Sequence, residues 1–284
     1  MSRNKDRLGT GVTKPENNSP PPQALQQDNP GFAFVVPTEF VELPSGGLHY
    51  AEEHPLHGES NIEIKQMTAK EEDLLTSRTL LKKGVALDRV LKSLIIDKNI
   101  DTDTLLIGDR NAIIVAARIS AYGNVYETNI TCPACNTLQD YSFDLYDAEV
   151  YAGQNYKQFD ITSNNDGTFN IVLPKTQVEV TFRLLVGTDE KRILNAAAKK
   201  KDDLYENVVT TQLSNIVVAV NGDSSPQSVQ YLIENIPSMD SRHLRMANKL
   251  ATPNIDLTQN FACNECDYEV DMEVPLTADF FWPK

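Results

Sequence analysis

The chain is poor in the residues and motifs that most often carry catalysis. Its 284 residues include four histidines, four cysteines and one tryptophan. It has no GxSxG, no GxGxxG and no phosphate-binding glycine loop. None of its carboxylates has sequence neighbours that suggest a shifted pKa. The sequence therefore predicts no catalytic residue, and we expect that the protein is not an enzyme.

Long hydrophobic runs and an excess of positive charge are also missing. No apolar stretch approaches the roughly 20 residues of a membrane-spanning helix, and the first ten residues, MSRNKDRLGT, lack the apolar core of a secretion signal. We therefore expect a protein that stays in a reducing cytoplasm and binds no membrane. The formal net charge is −14, which argues against broad binding to the phosphate backbone of nucleic acids.

The four cysteines are divided between two CxxC turns that lie far apart in the chain. These turns are Cys132-Pro133-Ala134-Cys135 and Cys263-Asn264-Glu265-Cys266. A CxxC turn puts two thiolates on one side of a tight loop, so two such turns supply a tetrahedral shell for zinc. Asn136 and Asp267 follow the turns, and both residue types tolerate the left-handed backbone expected there. We predict one structural Zn²⁺ held by Cys132, Cys135, Cys263 and Cys266.

Other uses of the four cysteines fit the sequence less well. Disulfides would need an oxidising compartment, and a thioredoxin-like redox pair would need a helix opening at its CxxC, whereas strand patterns follow both turns. A catalytic zinc would keep one open position, and four cysteines leave none. Iron fits four thiolates as zinc does, so the identity of the metal stays open.

Alternating apolar and polar residues mark half-buried strands after both turns. Tyr141, Phe143 and Leu145 alternate with polar residues after the first turn, and Tyr268 begins the same pattern after the second. The pattern predicts an α+β fold with a helical N-terminal region and a mixed α/β module inserted between the two halves of a discontinuous four-cysteine zinc ribbon. The predicted domains are a disordered Pro/Asn/Gln-rich tail (1–37), a mainly helical N-terminal region (38–123), the ribbon with flanking strands (124–175 plus 255–284) and a mainly helical inserted module (176–254).

Several helices are predicted from caps and apolar periodicity. Thr68 and Glu71 form a capping box. A helix that opens at Asp109-Arg110-Asn111 is apolar nearly all round from 112 to 121, which predicts a central place in the core, with Asp109 as its cap and Arg110 in an ion pair. The inserted module is predicted to contain helices at 204–220, 226–236 and 238–250.

The sequence resembles the baseplate hub subunit family of T4-like contractile-tailed bacteriophages. The resemblance lies in LLIGDRN at 105–111, RISAYG at 118–123 and CPAC at 132–135, together with LPSGGLHY at 43–50 and TAKEEDLLTSRTLL at 68–81. It extends from about residue 38 to the end of the chain. The resemblance implies a structural or assembly component of the central baseplate hub, which binds other phage tail and baseplate proteins. It is expected in the host cytoplasm during assembly, and its presence in the virion tail baseplate depends on whether it is a permanent component or a transient assembly factor, which the sequence leaves open.

Two other functions, a nucleic-acid-binding regulator and a metal-dependent hydrolase, are compared with the sequence, and an aromatic cluster near the C-terminus is a candidate contact surface. A nucleic-acid-binding zinc-ribbon regulator would need a basic face, yet 265–273 holds five acidic residues and no basic one. A metal-dependent hydrolase would use His54 and His57, but Pro55 between them breaks the helical spacing of an HExxH site. The aromatic residues Phe280, Phe281 and Trp282 are a candidate contact for a neighbouring subunit, with packing against the ribbon as the alternative.

Overall fold

The computed structural model describes residues 25–26, 35–82, 85–199, 208–274 and 278–281. Within these ranges the chain forms eight α-helices and fourteen short strands, which confirms a mixed α and β protein. The helices are α1 Ala69–Thr76, α2 Arg78–Lys82, α3 Ala86–Leu94, α4 Ile107–Tyr122, α5 Gly187–Lys199, α6 Val208–Ile216, α7 Pro226–Asn235 and α8 Ser238–Ala251. The strands are β1 Leu25–Gln26, β2 Val35–Val36, β3 Thr38–Glu42, β4 Asn61–Lys65, β5 Val125–Thr131, β6 Leu138–Asp144, β7 Glu149–Tyr151, β8 Thr162–Ser163, β9 Thr168–Val172, β10 Glu179–Arg183, β11 Val217–Val220, β12 Asn254–Asp256, β13 Thr258–Ala262 and β14 Glu269–Glu273.

The strands pair only in small antiparallel sheets over the described residues. One sheet has four strands in the order β11-β10-β9-β8, and the other pairs are β1-β2, β3-β4, β5-β6, β7-β12 and β13-β14. The β7-β12 pair is the important one for the site, because it joins two segments that are distant in sequence, with Tyr151 opposite Asn254. This pairing returns the chain to the side of the β5-β6 hairpin just before the β13-β14 hairpin begins.

Helix α4 lies at the centre of the fold, as its apolar sequence predicts. Ala112, Ile113, Val115 and Ala117 are all at most 5% exposed. The helix contacts α3, α5, β3 and β12. Its first turn approaches the backbone so closely that a Cβ added at Gly108 would lie 2.0 Å from the carbonyl oxygen of Pro253. Glycine is therefore required where α4 passes the segment that leads into β12.

The opening of α4 differs from the prediction at one residue. Leu106, not Asp109, is the N-cap, and Asp109 is fully buried, where its carboxylate accepts hydrogen bonds from the Ser45 backbone and hydroxyl and from the Tyr50 hydroxyl. Asp109 therefore holds the 43–58 loop against α4. Arg110 forms the predicted ion pair, with Asp88 at 2.7 Å.

The predicted helix at 204–220 is wrong in its last part. Residues 200–207 lie outside the described residues, α6 ends at Ile216, and Val217 to Val220 form β11, an edge strand paired with β10. Three of these four residues are valines, whose branched side chains suit a pleated strand. The predicted helices at 226–236 and 238–250 are confirmed as α7 and α8.

The two ends of the chain are described only in part. The predicted disordered tail, 1–37, lies outside the described residues except for 25–26 and 35–37, where β1 pairs with β2. At the other end Phe280 and Phe281 are 1% and 3% exposed. Both pack inside this chain, which is the alternative that the sequence left open, and Phe280 contacts Tyr126. Trp282 lies outside the described residues. No helix in the described part is both long and apolar enough to cross a membrane.

Candidate metal centre

Each CxxC turn forms the tip of a two-stranded hairpin. Cys132 and Cys135 lie between β5 and β6, and Cys263 and Cys266 lie between β13 and β14. In both hairpins the first cysteine is buried and the second is exposed. The two tips therefore have the same arrangement, with one thiol directed inward and one near the surface.

The two tips meet, although they are more than 120 residues apart. The Sγ atoms of Cys132 and Cys266 are 3.8 Å apart, and those of Cys135 and Cys263 are 3.7 Å apart. All four Sγ atoms lie within 4.8 Å of one another. A tetrahedral shell with Zn–S bonds of about 2.3 Å has S···S edges of about 3.8 Å. The thiol positions therefore fit a tetrahedral metal ion, and the four cysteines could hold one.

The backbone of each tip supports the thiols in the expected way. Asn136 and Asp267, which follow the second cysteine of each turn, have φ of 60° and 52°, so the predicted left-handed conformation is confirmed at both positions. The backbone N–H groups of Ala134 and Glu265 point at the buried sulfurs, at 3.4 Å from Cys132 Sγ and 3.5 Å from Cys263 Sγ. Such N–H groups stabilise negative charge on a thiolate.

Polar side chains join the two hairpins below the cysteines. Gln139 on β6 accepts from the backbone of Asn264 at 3.1 Å and donates to Ala262 at 3.3 Å. Further along, Gln259 on β13 donates to the carbonyl of Asp144 at 2.7 Å. The alternation of the strands gave no signal for these contacts, because a sequence pattern shows which face is buried and not what lies opposite it.

An aromatic contact also holds the β5-β6 hairpin against the β13-β14 hairpin. Tyr141 donates its hydroxyl hydrogen to the carbonyl of Asn260 at 2.9 Å, and its ring lies 5.1 Å from that of Phe261. Phe261 is fully buried. The two hairpins therefore face each other through hydrogen bonds and a small apolar contact, with the cysteine tips at one end.

The thiols influence one another's ionisation. Hydrogen bonding to the side chain and then the backbone of Thr137 lowers the pKa of Cys135 to about 6. At Cys266 the backbone of Tyr268 favours the thiolate, but desolvation and the neighbouring cysteines raise the pKa to about 12. Thiolates this close repel each other unless a cation lies between them. A bound metal ion removes that repulsion and holds all four sulfurs as thiolates.

The two histidines of the alternative hydrolase site, His54 and His57, form hydrogen bonds that hold the loop at 43–58. His54 Nε2 lies 2.9 Å from the Thr104 hydroxyl and its Nδ1 accepts from the backbone of Leu56, while His57 Nδ1 lies 2.7 Å from the carbonyl oxygen of Tyr50. Over the residues that the structure describes, the four cysteines are the only group of three or more His, Cys, Asp or Glu side chains placed to hold a metal ion.

A family model described as T4 bacteriophage base plate protein matches residues 37–282. The chain belongs to this family. The match covers both hairpins, α4 and everything between them, so the whole described fold after β2 is that of a base plate protein. No curated protein and no solved structure matches the chain. Membership in the base plate family supports a structural role in a phage tail, where such a protein interacts with other tail proteins.

Proposed function

We propose that the protein is a structural or assembly component of the central hub of the base plate in a contractile phage tail, with Zn²⁺ held by Cys132, Cys135, Cys263 and Cys266 as its scaffold. The observation that carries the metal part is the convergence of the four thiols within 4.8 Å. The family match supports the base plate part, and the resemblance of 105–111 and 43–50 to hub subunits supports the position in the hub.

In this mechanism the metal acts as a cross-link. It ties the β5-β6 hairpin to the β13-β14 hairpin and so completes a discontinuous zinc ribbon, closed over the 128 residues that separate Cys135 from Cys263. The segment between the hairpins is then held in one orientation and presents a fixed surface to neighbouring tail proteins. Four thiolates leave no open coordination position, so the proposed role is binding and not catalysis. The acidic 265–273 segment also disfavours binding to nucleic acid.

The metal is tested by elemental analysis of the purified chain. We expect one zinc per chain in the wild type and none in the Cys132→Ser plus Cys263→Ser variant. The control is His54→Ala plus His57→Ala, which removes the rival ligands and should keep the one zinc. Wild-type protein without metal would refute the scaffold, and loss of the metal in the histidine variant would reopen the hydrolase.

The hub is tested in the phage. A phage that lacks the gene should fail to assemble base plates, and a tagged copy should restore them. Cross-linking with mass spectrometry during assembly should join the chain to proteins of the central hub. Cross-links confined to the base plate periphery, or normal base plates without the gene, would refute the hub role while leaving the metal result untouched.

A further inference from the structure

Helix α8 presents a basic and apolar stripe to solvent. Met239, Arg242, Met246 and Lys249 follow one another at spacings of three or four residues, so they share one face of the helix. All four are exposed, Met239 by 58% and Met246 by 41%. The one acidic residue of the helix, Asp240, is fully buried. The net charge of the chain is −14, and the stripe carries two cations. Lys249 has a carboxylate of its own chain nearby, since hydrogen bonds from Thr258 and, more weakly, the charge of Lys249 lower the pKa of Asp256 on β12.

The outer face of the β13-β14 hairpin has the opposite character. Glu269, Asp271 and Glu273 occupy alternate positions of β14 and are exposed, so they form one acidic row. Glu265 and Asp267 in the tip are exposed as well. No Lys, Arg or His occurs anywhere from 251 to 274, so the row has no cation close to it in sequence.

The two surfaces also match in length. From Met239 to Lys249 the helix rises by about 15 Å, and from Glu269 to Glu273 the strand extends by about 13 Å. We propose that the stripe on α8 docks on the acidic row of a second copy of this chain. The cations Arg242 and Lys249 then face carboxylates, with Met246 between them and Met239 one turn before Arg242.

The two surfaces belong to different elements of the chain, so two forms of assembly use the contact. In a two-fold dimer each stripe lies on the row of the other copy. In a head-to-tail pair one α8 and one hairpin stay free, and further copies add as a ring or a filament. At about 0.15 M salt the screening length is about 8 Å, so the general repulsion between two acidic chains is damped while ion pairs in contact persist. The inference does not depend on the hub role.

The first test is charge reversal on the helix. We expect sedimentation velocity at about 0.15 M salt and up to about 100 µM protein to show self-association of the wild type. Arg242→Glu plus Lys249→Glu should weaken that association by at least about tenfold. The control is Arg89→Glu plus Lys92→Glu, which makes the same change in net charge at two exposed positions of α3 and should leave association unchanged. A monomeric wild type, or an equal effect of the control, overturns the proposal.

The second test restores the contact by exchanging the charges. Glu269→Lys plus Glu273→Lys reverses the charge at the two ends of the acidic row and should weaken association to a similar degree. Mixed with the α8 variant, it offers an intact basic stripe to an intact acidic row, so the mixture should associate more strongly than either variant does alone. Circular dichroism checks that each variant is folded. All variants keep the four cysteines, so a loss of metal does not enter the comparison. A mixture that stays monomeric overturns the proposal.

Discussion

Arg118 is a buried cation whose hydrogen-bond partners are backbone carbonyls. Its guanidinium donates to Phe280 and Gly123 at 2.8 Å each and to Val125 at 3.2 Å. The side chain is 2% exposed, and burial lowers its pKa. The ring of Tyr122 lies 5.3 Å from the guanidinium carbon, which adds a cation–π contact. One side chain thus joins the end of α4, the start of β5 and the C-terminal segment.

We predict that Arg118→Met lowers the free energy of unfolding by about 3 kcal/mol, because buried carbonyls lose their donors and cannot regain water. Methionine keeps much of the side-chain length, so the loss reports hydrogen bonds more than volume. Urea unfolding followed by circular dichroism measures it. The control is Arg89→Met on the exposed face of α3, which should change stability by less than about 0.5 kcal/mol. Equal effects of the two substitutions would contradict the prediction.

At the scale of the element, local signals were enough where a residue acts within its own helix or turn. The capping box of Thr68 and Glu71 is present as predicted at the start of α1, and Ser225 with Pro226 begins α7. The prediction that Asp109 caps α4 was wrong because its partner Ser45 lies 64 residues earlier in the chain. No local sequence pattern shows such a partner. The predicted helix at 204–220 was wrong over β11 because a short apolar stretch is compatible with a helix and with a strand. Only the pairing with another strand distinguishes the two.

The same limit applies to the candidate metal centre. The CxxC turns and the left-handed residues after them are local features, and the sequence predicted both. The approach of the two tips depends on Gln139 and Gln259, which bridge the hairpins, and on the β7-β12 pair. These contacts are long-range in sequence, so only the fold reveals them. The domain boundaries at 124, 176 and 255 likewise stay predictions.

The capping box of α1 also makes stability depend on pH. Burial alone would raise the pKa of Glu71, but hydrogen bonds from Lys65, Ser93 and Thr68 lower it from its usual 4.5 to about 2. A carboxyl with a lower pKa in the folded state contributes stability above pH 4.5, and that contribution disappears as the pH falls towards 2. Glu71 is fully buried, so the contribution is only weakly screened.

We predict that Glu71→Gln lowers the free energy of unfolding by about 2 kcal/mol at neutral pH, because glutamine keeps the shape and loses the charge. The difference from wild type should stay constant above pH 4.5 and shrink steadily below it. Urea unfolding of both proteins over this range checks the prediction. Asp73→Asn, an exposed acidic residue of the same helix, serves as the control and should show little difference. A difference for Glu71→Gln that does not depend on pH would contradict the assignment.

At the scale of the whole molecule the proposed metal would stabilise the folded chain. The four thiolates come together only in the fold, so the free energy of metal binding would add to the free energy of unfolding, by about 4 kcal/mol when free metal is about a thousandfold above its Kd. The hydrogen bonds between the hairpins and most of the buried cluster around α4, to which Cys132 and Cys263 also belong, remain without the metal. We therefore infer that the metal-free chain keeps its central fold while the hairpins separate more readily.

We predict that removing the metal with a chelator lowers the free energy of unfolding by about 4 kcal/mol or more, because the binding free energy is lost. Hydrogen exchange should rise in β5-β6 and in β13-β14 together, although the two hairpins are far apart in sequence, because each holds the other in place. Amides of β9 and β10, which belong to the four-stranded sheet, should remain protected and provide the internal control. Chelator added to the Cys132→Ser plus Cys263→Ser variant should have no further effect. If exchange rises in only one hairpin, or equally throughout the chain, the metal does not link the two hairpins, and the orientation of the intervening segment must depend on the protein contacts alone.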